Sequence, residues 1–155
     1  MTIATRAPNR ERREVRARLS ALPETAAFAQ QFCARHRVAQ RVALRLTLAI
    51  EELFTNTVTH GHGGDSHATV VIGLSVGAHG VRLGYADAAP RFDPRPWLRT
   101  PPASLSVAGA AREEGGLGLH LVGRFASRVR YAYRGGNRVV LAIPIEEGEG
   151  GGADA

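Results

Sequence analysis

The chain has 155 residues, of which 44% are hydrophobic and 22% are charged, a composition typical of one globular domain with its own core. Its formal net charge of +6 comes from 20 arginines, because the sequence contains no lysine. This excludes a P-loop nucleotide site and a protein kinase of the V-A-I-K type, since both require lysine. A single cysteine, Cys33, excludes an intramolecular disulfide and favours a reducing cytoplasm. No apolar run approaches membrane-spanning length, and no signal peptide is expected.

Hydrophobic periodicity and turn residues divide most of the chain into predicted strands, helices and loops. In chain order they are strand 13–20, helix 23–36, helix 39–60, strand 68–76, strand 81–87, loop 88–116, a helix entered from that loop, strand 128–134 and strand 138–145. Two hairpins and helices gathered on one face predict an α+β fold, a two-layer sandwich with a mostly antiparallel sheet. We expect a single domain over 13–145, flanked by a flexible basic tail at 1–12 and a disordered tail at 146–155.

The first strand is predicted from the alternation of Val15, Ala17 and Leu19 with polar residues. Helix 23–36 starts with a proline and a glutamate, both favourable in a first helical turn. Cys33 on this helix is expected to pack in the core.

The second predicted helix carries a row of polar residues. Glu52, Asn56 and His60 recur every four residues and therefore stack along one face. Taken alone, this pattern is also typical of a solvated helix face. However, Asn56, Thr57 and Thr59 are weak helix formers, and helix stability gives no reason for them.

Three histidines, His60, His62 and His67, follow in and after the glycine-rich end of this helix. They are interpreted as polar turn residues rather than as metal ligands.

The loop over 88–116 is long for a compact domain, which is typical of a functional lid. Asp87 precedes it at the end of a strand, and Gly115, Gly116 and Gly118 follow where a helix begins. Glycines at a helix start let backbone N–H groups approach an anion, and the helix dipole adds to that attraction. Each feature alone is also typical of an ordinary turn.

Together and in this order, these features resemble the N, G1 and G2 boxes of GHKL ATPases, whose Bergerat fold occurs in gyrase and in histidine kinases. The matching stretches are AIEELFTNTVTHG, YADAAPRFDP, EEGGLGLHLV and GGNRVVLAIPI, and the resemblance covers roughly residues 14–145. Within that superfamily, the chain looks like an anti-sigma factor serine kinase of the RsbW/SpoIIAB type.

The resemblance implies a site for ATP or ADP with Mg²⁺. Asn56 would offer its side-chain oxygen to the metal, and Asp87 would accept a hydrogen bond from the adenine amino group. Glu52 would be the catalytic residue, acting as base or orienter for the attacking hydroxyl. Glu51 lies about 100° further round the helix and should point elsewhere. The other implied nucleotide-binding positions are Ala89, Arg112, Gly115, Gly116, Leu117, Gly118 and Leu119, with Arg91, Arg95 and Arg99 as alternatives to Arg112.

One position departs from the family pattern. Ala89 stands where the G1 box normally has a glycine, and its methyl group is expected to weaken adenine binding or to alter the turn.

The resemblance implies an ATP-dependent serine protein kinase that sequesters a sigma factor and phosphorylates a STAS-domain anti-sigma antagonist. It also implies a cytoplasmic homodimer without membrane or direct nucleic-acid binding. A non-catalytic partner-switching scaffold with a degenerate nucleotide site is the alternative that Ala89 motivates, and Glu52 and Asn56 argue against it. A third hypothesis is nucleic-acid binding through the arginine-rich stretch from Arg6 to Arg18.

Overall fold

A computed structural model describes residues 9–99 and 116–145, apart from the side chains of residues 116 and 117. These residues form strands and helices in an order close to the predicted one. In chain order the elements are β1 (Arg10–Arg16), α1 (Leu22–Arg35), α2 (Gln40–Asn56), β2 (Thr69–Gly77), β3 (Gly80–Ala86), α3 (Arg95–Arg99), α4 (Gly116–Phe125), β4 (Arg128–Tyr133) and β5 (Asn137–Pro144).

The strands form one sheet in the order β1-β2-β3-β5-β4, and every neighbouring pair is antiparallel. Strand β2 shows how the two faces of the sheet differ. Its residues Val70, Ile72 and Leu74 are buried, whereas Val71 and Gly73 remain partly exposed on the opposite face. Helices α1 and α2 pack against each other and contact the sheet. The predicted α+β sandwich is therefore confirmed.

The core lies between the sheet and the helices. Phe32 of α1, together with Ile50 and Phe54 of α2, is fully buried there against Leu83 of β3 and other sheet residues. Burial of such side chains is the main favourable term in folding. Cys33 is also buried, and the loss of solvent raises the pKa of its thiol to about 11, as fits a packing residue.

The first strand lies further upstream than its predicted bounds of 13–20. It spans Arg10–Arg16, while Leu19 begins a short 3₁₀ turn and is 46% exposed. Val15 and Ala17 are buried as expected. The upstream residues were missed because Arg10 to Glu14 are all charged, and their pairing with β2 depends on tertiary contact rather than on apolar alternation.

The predicted loop over 88–116 contains a helical turn, α3, and ends where α4 begins at Gly116. Asp93 starts α3, because its Oδ1 accepts a hydrogen bond from the backbone N–H of Arg95 at 3.0 Å. Residues 100–115 and the tail predicted at 146–155 lie outside the described residues. Among the helices that the structure describes, none is long and apolar enough to cross a membrane.

Candidate functional site

Helix α2 changes geometry at its C-terminal end. After Asn56 it continues as a wider π-helical turn, Thr57–Gly61, and the N–H of His62 reaches back five residues to the carbonyl of Thr57 at 2.9 Å. This turn explains the weak helix formers in the sequence, because regular helix ends where they occur. π-turns of this kind are frequently found at functional sites.

The turn places the hydroxyl of Thr57 beside Asp87, just beyond the end of β3. Thr57 Oγ1 lies 2.7 Å from Asp87 Oδ2 and 2.6 Å from the hydroxyl of Tyr85. Thr57 has one proton, which the charged carboxylate attracts most strongly, so Thr57 donates to Asp87 and Tyr85 donates to Thr57. Burial raises the pKa of Tyr85, which keeps its hydroxyl protonated and able to donate.

The other oxygen of the Asp87 carboxylate is held by Asn137, the first residue of β5. Asn137 Nδ2 donates to Asp87 Oδ1 at 2.9 Å and to the carbonyl of Pro90 at 2.9 Å. Its Oδ1 accepts from the backbone N–H of Phe92 at 2.8 Å and from the hydroxyl of Tyr131 at 2.5 Å. One buried amide thus joins β4, β5, Asp87 and the start of the following loop.

The sequence pattern does not single out Asn137, because it follows two glycines in the short connection between the predicted strands 128–134 and 138–145. The structure gives Gly136 a packing role, since a Cβ added there would overlap the main-chain carbonyl of Asp87. The close approach of Gly136 to Asp87 is thus what brings Asn137 within reach of the carboxylate.

Asn56, Asp87 and Ala89 line one cavity of about 170 Å³, so the structure brings these three predicted site residues together. His60 and Phe92 also line it. Asp87 Oδ1 accepts hydrogen bonds from Ala89 and Asn137, and Oδ2 accepts one from Thr57. Oδ2 therefore keeps a lone pair for a further donor.

Ala89 fits without strain. Its backbone N–H donates to Asp87 Oδ1 at 3.1 Å, which closes a tight turn, and its φ does not lie in the left-handed region. Its methyl group packs against Gly61, where an added Cβ would come within 2.7 Å of the Ala89 Cβ. The alanine is therefore accommodated because residue 61 is glycine.

Glu52 lies one turn before Asn56, against the first turn of α4. A Cβ added at Gly118 would overlap the Glu52 carboxylate, so this glycine leaves the space that the carboxylate occupies. Burial raises the pKa of Glu52, and the neighbouring charge of Glu51 raises it further. A carboxylate with a raised pKa is a better proton acceptor than an ordinary one.

The remaining predicted positions lie in or before α4, and the structure describes only some of them. Gly116 starts α4, and Leu117 follows it in the helix. Leu119 is 1% exposed in the hydrophobic core, which leaves its main chain for any ligand contact. Arg112 and Gly115 lie outside the described residues.

Of the alternative arginines, Arg91 lines the cavity. Arg95 is paired with Asp93 at 2.7 Å and lies over the ring of Tyr131, and Arg99 is exposed at the end of α3.

Across residues 9–99 and 116–145, no three His, Cys, Asp or Glu side chains are grouped so that they could hold a metal ion. A divalent cation at the cavity would therefore need oxygens of a bound ligand besides those of the protein, which is how Mg²⁺ commonly binds with phosphates.

Residues 15–143 match the family model of the histidine kinase-like ATPase domain. The chain belongs to this family. The histidine kinase-like ATPase domain thus covers nearly all of the described fold and supports an ATP-binding regulatory function. No curated protein sequence matches the chain significantly.

The residues at the cavity of this ATPase domain fit a nucleotide. Asp87 Oδ2 offers an acceptor for an exocyclic amino group, and Gly118 in the first turn of α4 leaves room for the Glu52 carboxylate. Asn56 offers a neutral oxygen of the hard kind that Mg²⁺ prefers.

Proposed function

We propose that this protein is an anti-sigma factor with ATP-dependent serine protein kinase activity. It sequesters a sigma factor and phosphorylates a serine of a STAS-domain antagonist, and it acts as a homodimer. The kinase part of the proposal is supported chiefly by the placement of Glu52, whose carboxylate lies against Gly118 in the first turn of α4 and which precedes Asn56 by one turn of its own helix. The partners are proposed from the family resemblance of the motifs.

Adenine recognition is assigned to Asp87. Thr57, Ala89 and Asn137 fix the carboxylate with three hydrogen bonds of 2.7–3.1 Å. Because the carboxylate is held before ligand arrives, little side-chain entropy is lost on binding. A carboxylate accepts from the amino group of adenine, whereas guanine presents a carbonyl at the same position, so the site selects adenine.

Catalysis is assigned to Glu52. Mg-ATP supplies the phosphoryl group and the electrostatic stabilisation of its transfer. Glu52 accepts the proton of the attacking serine hydroxyl, and burial of its carboxylate brings its pKa closer to the working pH. Asn56, on the same helix, would hold the metal through its side-chain oxygen.

The chain offers a matched control for this assignment, because Glu51 precedes Glu52 on the same helix. Phosphate transfer to a purified STAS-domain antagonist is measured for wild type, Glu52→Gln and Glu51→Gln. Loss of a general base lowers turnover by roughly 10²- to 10⁴-fold, so Glu52→Gln should lose transfer while still binding Mg-ATP. Glu51→Gln should retain most of it.

Two results would count against this proposal. If wild type binds Mg-ATP but transfers no phosphate to a genuine partner, the protein is a nucleotide-dependent scaffold rather than a kinase. If both glutamine variants lose phosphate transfer equally, the loss comes from removing a negative charge from the helix, and Glu52 has no specific role.

A further inference from the structure

The sheet face opposite the helices is open and strongly basic. The described helices that contact the sheet pack on its other side, and residues of β1, β2, β3 and β5 line a depression of about 510 Å³ on the open face. Strand register places six exposed arginines on this face. They are Arg10, Arg12, Arg82, Arg128, Arg130 and Arg138.

These cations are largely uncompensated. Glu14 is the carboxylate that shares the face within β1, and it pairs with Arg12 at 3.0 Å. Within residues 9–99 and 116–145, the other five arginines have no carboxylate within ion-pair distance. A concentration of one charge sign produces a field that attracts a partner of the opposite sign.

The floor of the depression is smooth and apolar. Gly73 and Gly84 face each other directly across β2 and β3, in the middle of strands where glycine weakens a sheet. Nothing in the described fold requires them, because a Cβ at either position would meet only an ordinary contact at 3.9–4.0 Å. Val71, Ala86 and Val140 border them, so the floor presents small apolar groups beside the arginines.

We propose that this open sheet face binds an acidic amphipathic helix of a partner protein. The apolar ridge of the helix lies over Gly73 and Gly84, and its acidic flanks meet the arginines. Sheet strands are spaced about 4.8 Å apart, so β1 and β4, four intervals apart, are separated by about 19 Å, which leaves room for a helix about 10–12 Å wide. Neither the six arginines nor Gly73 and Gly84 line the nucleotide cavity, so the inference does not depend on the proposed kinase activity.

Other occupants fit less well. A second copy meeting this face across a two-fold axis would bring arginines against arginines, which is repulsive. Single-stranded nucleic acid is commonly bound by stacking on aromatic side chains. The outward positions of β1 to β5 carry none, since Tyr85, Tyr131 and Tyr133 alternate to the helix-covered face.

The test uses the full chain and a fluorescent model peptide of about 20 residues, long enough to be helical, with leucine along one face and glutamate elsewhere. Binding is followed by anisotropy and by the backbone amide signals of the glycines. Gly73 and Gly84 should shift, while Gly118 and Gly136, beside the nucleotide residues, should not.

Two variants probe the two parts of the face. Gly84→Val fills the floor without changing charge and suits a strand, and Arg82→Glu combined with Arg130→Glu reverses charge. Each should weaken peptide binding at least tenfold, about 1.4 kcal/mol, with the fold retained by circular dichroism. Arg124→Glu reverses one charge at an exposed position on α4, away from this face, and should bind like wild type.

Several results would overturn the proposal. The first is a scrambled peptide of the same composition that binds as tightly as the amphipathic one, and the second is a Gly84→Val variant that binds the peptide as tightly as wild type does. The third is oligothymidylate that binds more tightly than the peptide, in a manner that the arginine substitutions abolish. Dimerisation that the same substitutions abolish would assign the face to a second copy. Binding that occurs only after residues 146–155 are deleted would assign it to the chain's own acidic tail.

Discussion

Asn137 is a buried side chain that holds both the Asp87 carboxylate and the loop that follows it. It satisfies one carboxylate oxygen, the carbonyl of Pro90 and the backbone N–H of Phe92 from a position that is only 4% exposed. Truncating this residue removes all of these hydrogen bonds at once, and a buried polar group left without a partner costs about 1–3 kcal/mol.

Asn137→Ala is therefore expected to lower both the unfolding midpoint and the affinity for ATP. Arg138→Ala, the next residue on the same strand but on the open face, should change neither property. Thermal unfolding and nucleotide titration measure the two effects. Nucleotide affinity equal to that of wild type would show that Asp87 is positioned without Asn137.

Gly61 and Ala89 are a coupled pair, because the methyl group of one occupies the space beside the other. Gly61→Ala should destabilise the fold by about 1–3 kcal/mol through overpacking. Adding Ala89→Gly should recover most of that loss, and chemical denaturation of the four proteins measures the coupling. Additive effects would contradict the packing described for these residues.

Glu52, the proposed catalytic residue, should also affect stability. Its pKa is raised in the folded state by burial and then by Glu51, so the folded protein holds this proton more tightly than the unfolded chain does. The associated stabilisation is present at low pH and is lost as pH rises through the folded pKa.

Glu52→Gln should consequently be more stable than wild type at neutral pH and lose that advantage below the unfolded pKa of a glutamate. Glu51→Gln should gain less, because it removes only the smaller cause of the shift. Denaturant unfolding at several pH values measures both, and a Glu52→Gln variant less stable than wild type at pH 7 would refute the burial argument.

Helices α3 and α4 meet at a glycine. A Cβ added at Gly123 would overlap the carbonyl of Leu98, so the backbone of α3 lies directly on α4 at this position. Trp97, the single tryptophan of the chain, lies in α3 and packs against the core. This contact attaches α3, which lies within the predicted loop 88–116, to α4.

Gly123→Ala tests this contact, because two effects oppose each other at this position. Helix propensity alone would favour alanine by about 1 kcal/mol, whereas the added methyl group would overlap α3. We expect destabilisation instead, with Trp97 fluorescence shifting to longer wavelength as α3 is displaced. Leu121→Ala, at an exposed position of the same helix, should leave the emission unchanged. A more stable Gly123→Ala variant with unchanged emission would show that α3 and α4 do not pack this closely.

The π-turn and α3 also show where local sequence patterns stop being informative. Weak helix formers at Asn56 and Thr57 indicated that regular helix was not the priority there, but only the contact with Asp87 and Tyr85 explains the widened turn. Helix α3 has five residues, too short for periodicity to detect. Its start had a local signal, an aspartate before a proline, which typically marks a helix N-terminus.

For the molecule as a whole, the sandwich and most of its elements follow from apolar periodicity, because burial on one face leaves a regular pattern in strands and helices alike. The start of β1 does not follow, since its charged residues pair with β2 through tertiary contact. The candidate nucleotide residues were predicted from motifs, and three of them, Asn56, Asp87 and Ala89, line one cavity. The role of Asn137 could not be predicted from local sequence, because its hydrogen-bond partner Asp87 lies fifty residues away in the chain.

The central claim is that Asp87 anchors ATP in this cavity, and thermal unfolding with and without Mg-ATP tests it most directly. A ligand at a hundredfold excess over its dissociation constant stabilises the native state by about 2.7 kcal/mol, so wild type should show a magnesium-dependent rise in midpoint. Asp87→Asn can still accept from Asn137 with its oxygen, but it presents an amide N–H where the adenine amino group must donate. It should fold and show no shift. A wild-type midpoint unchanged by millimolar Mg-ATP, or an equal shift in Asp87→Asn, would contradict the claim.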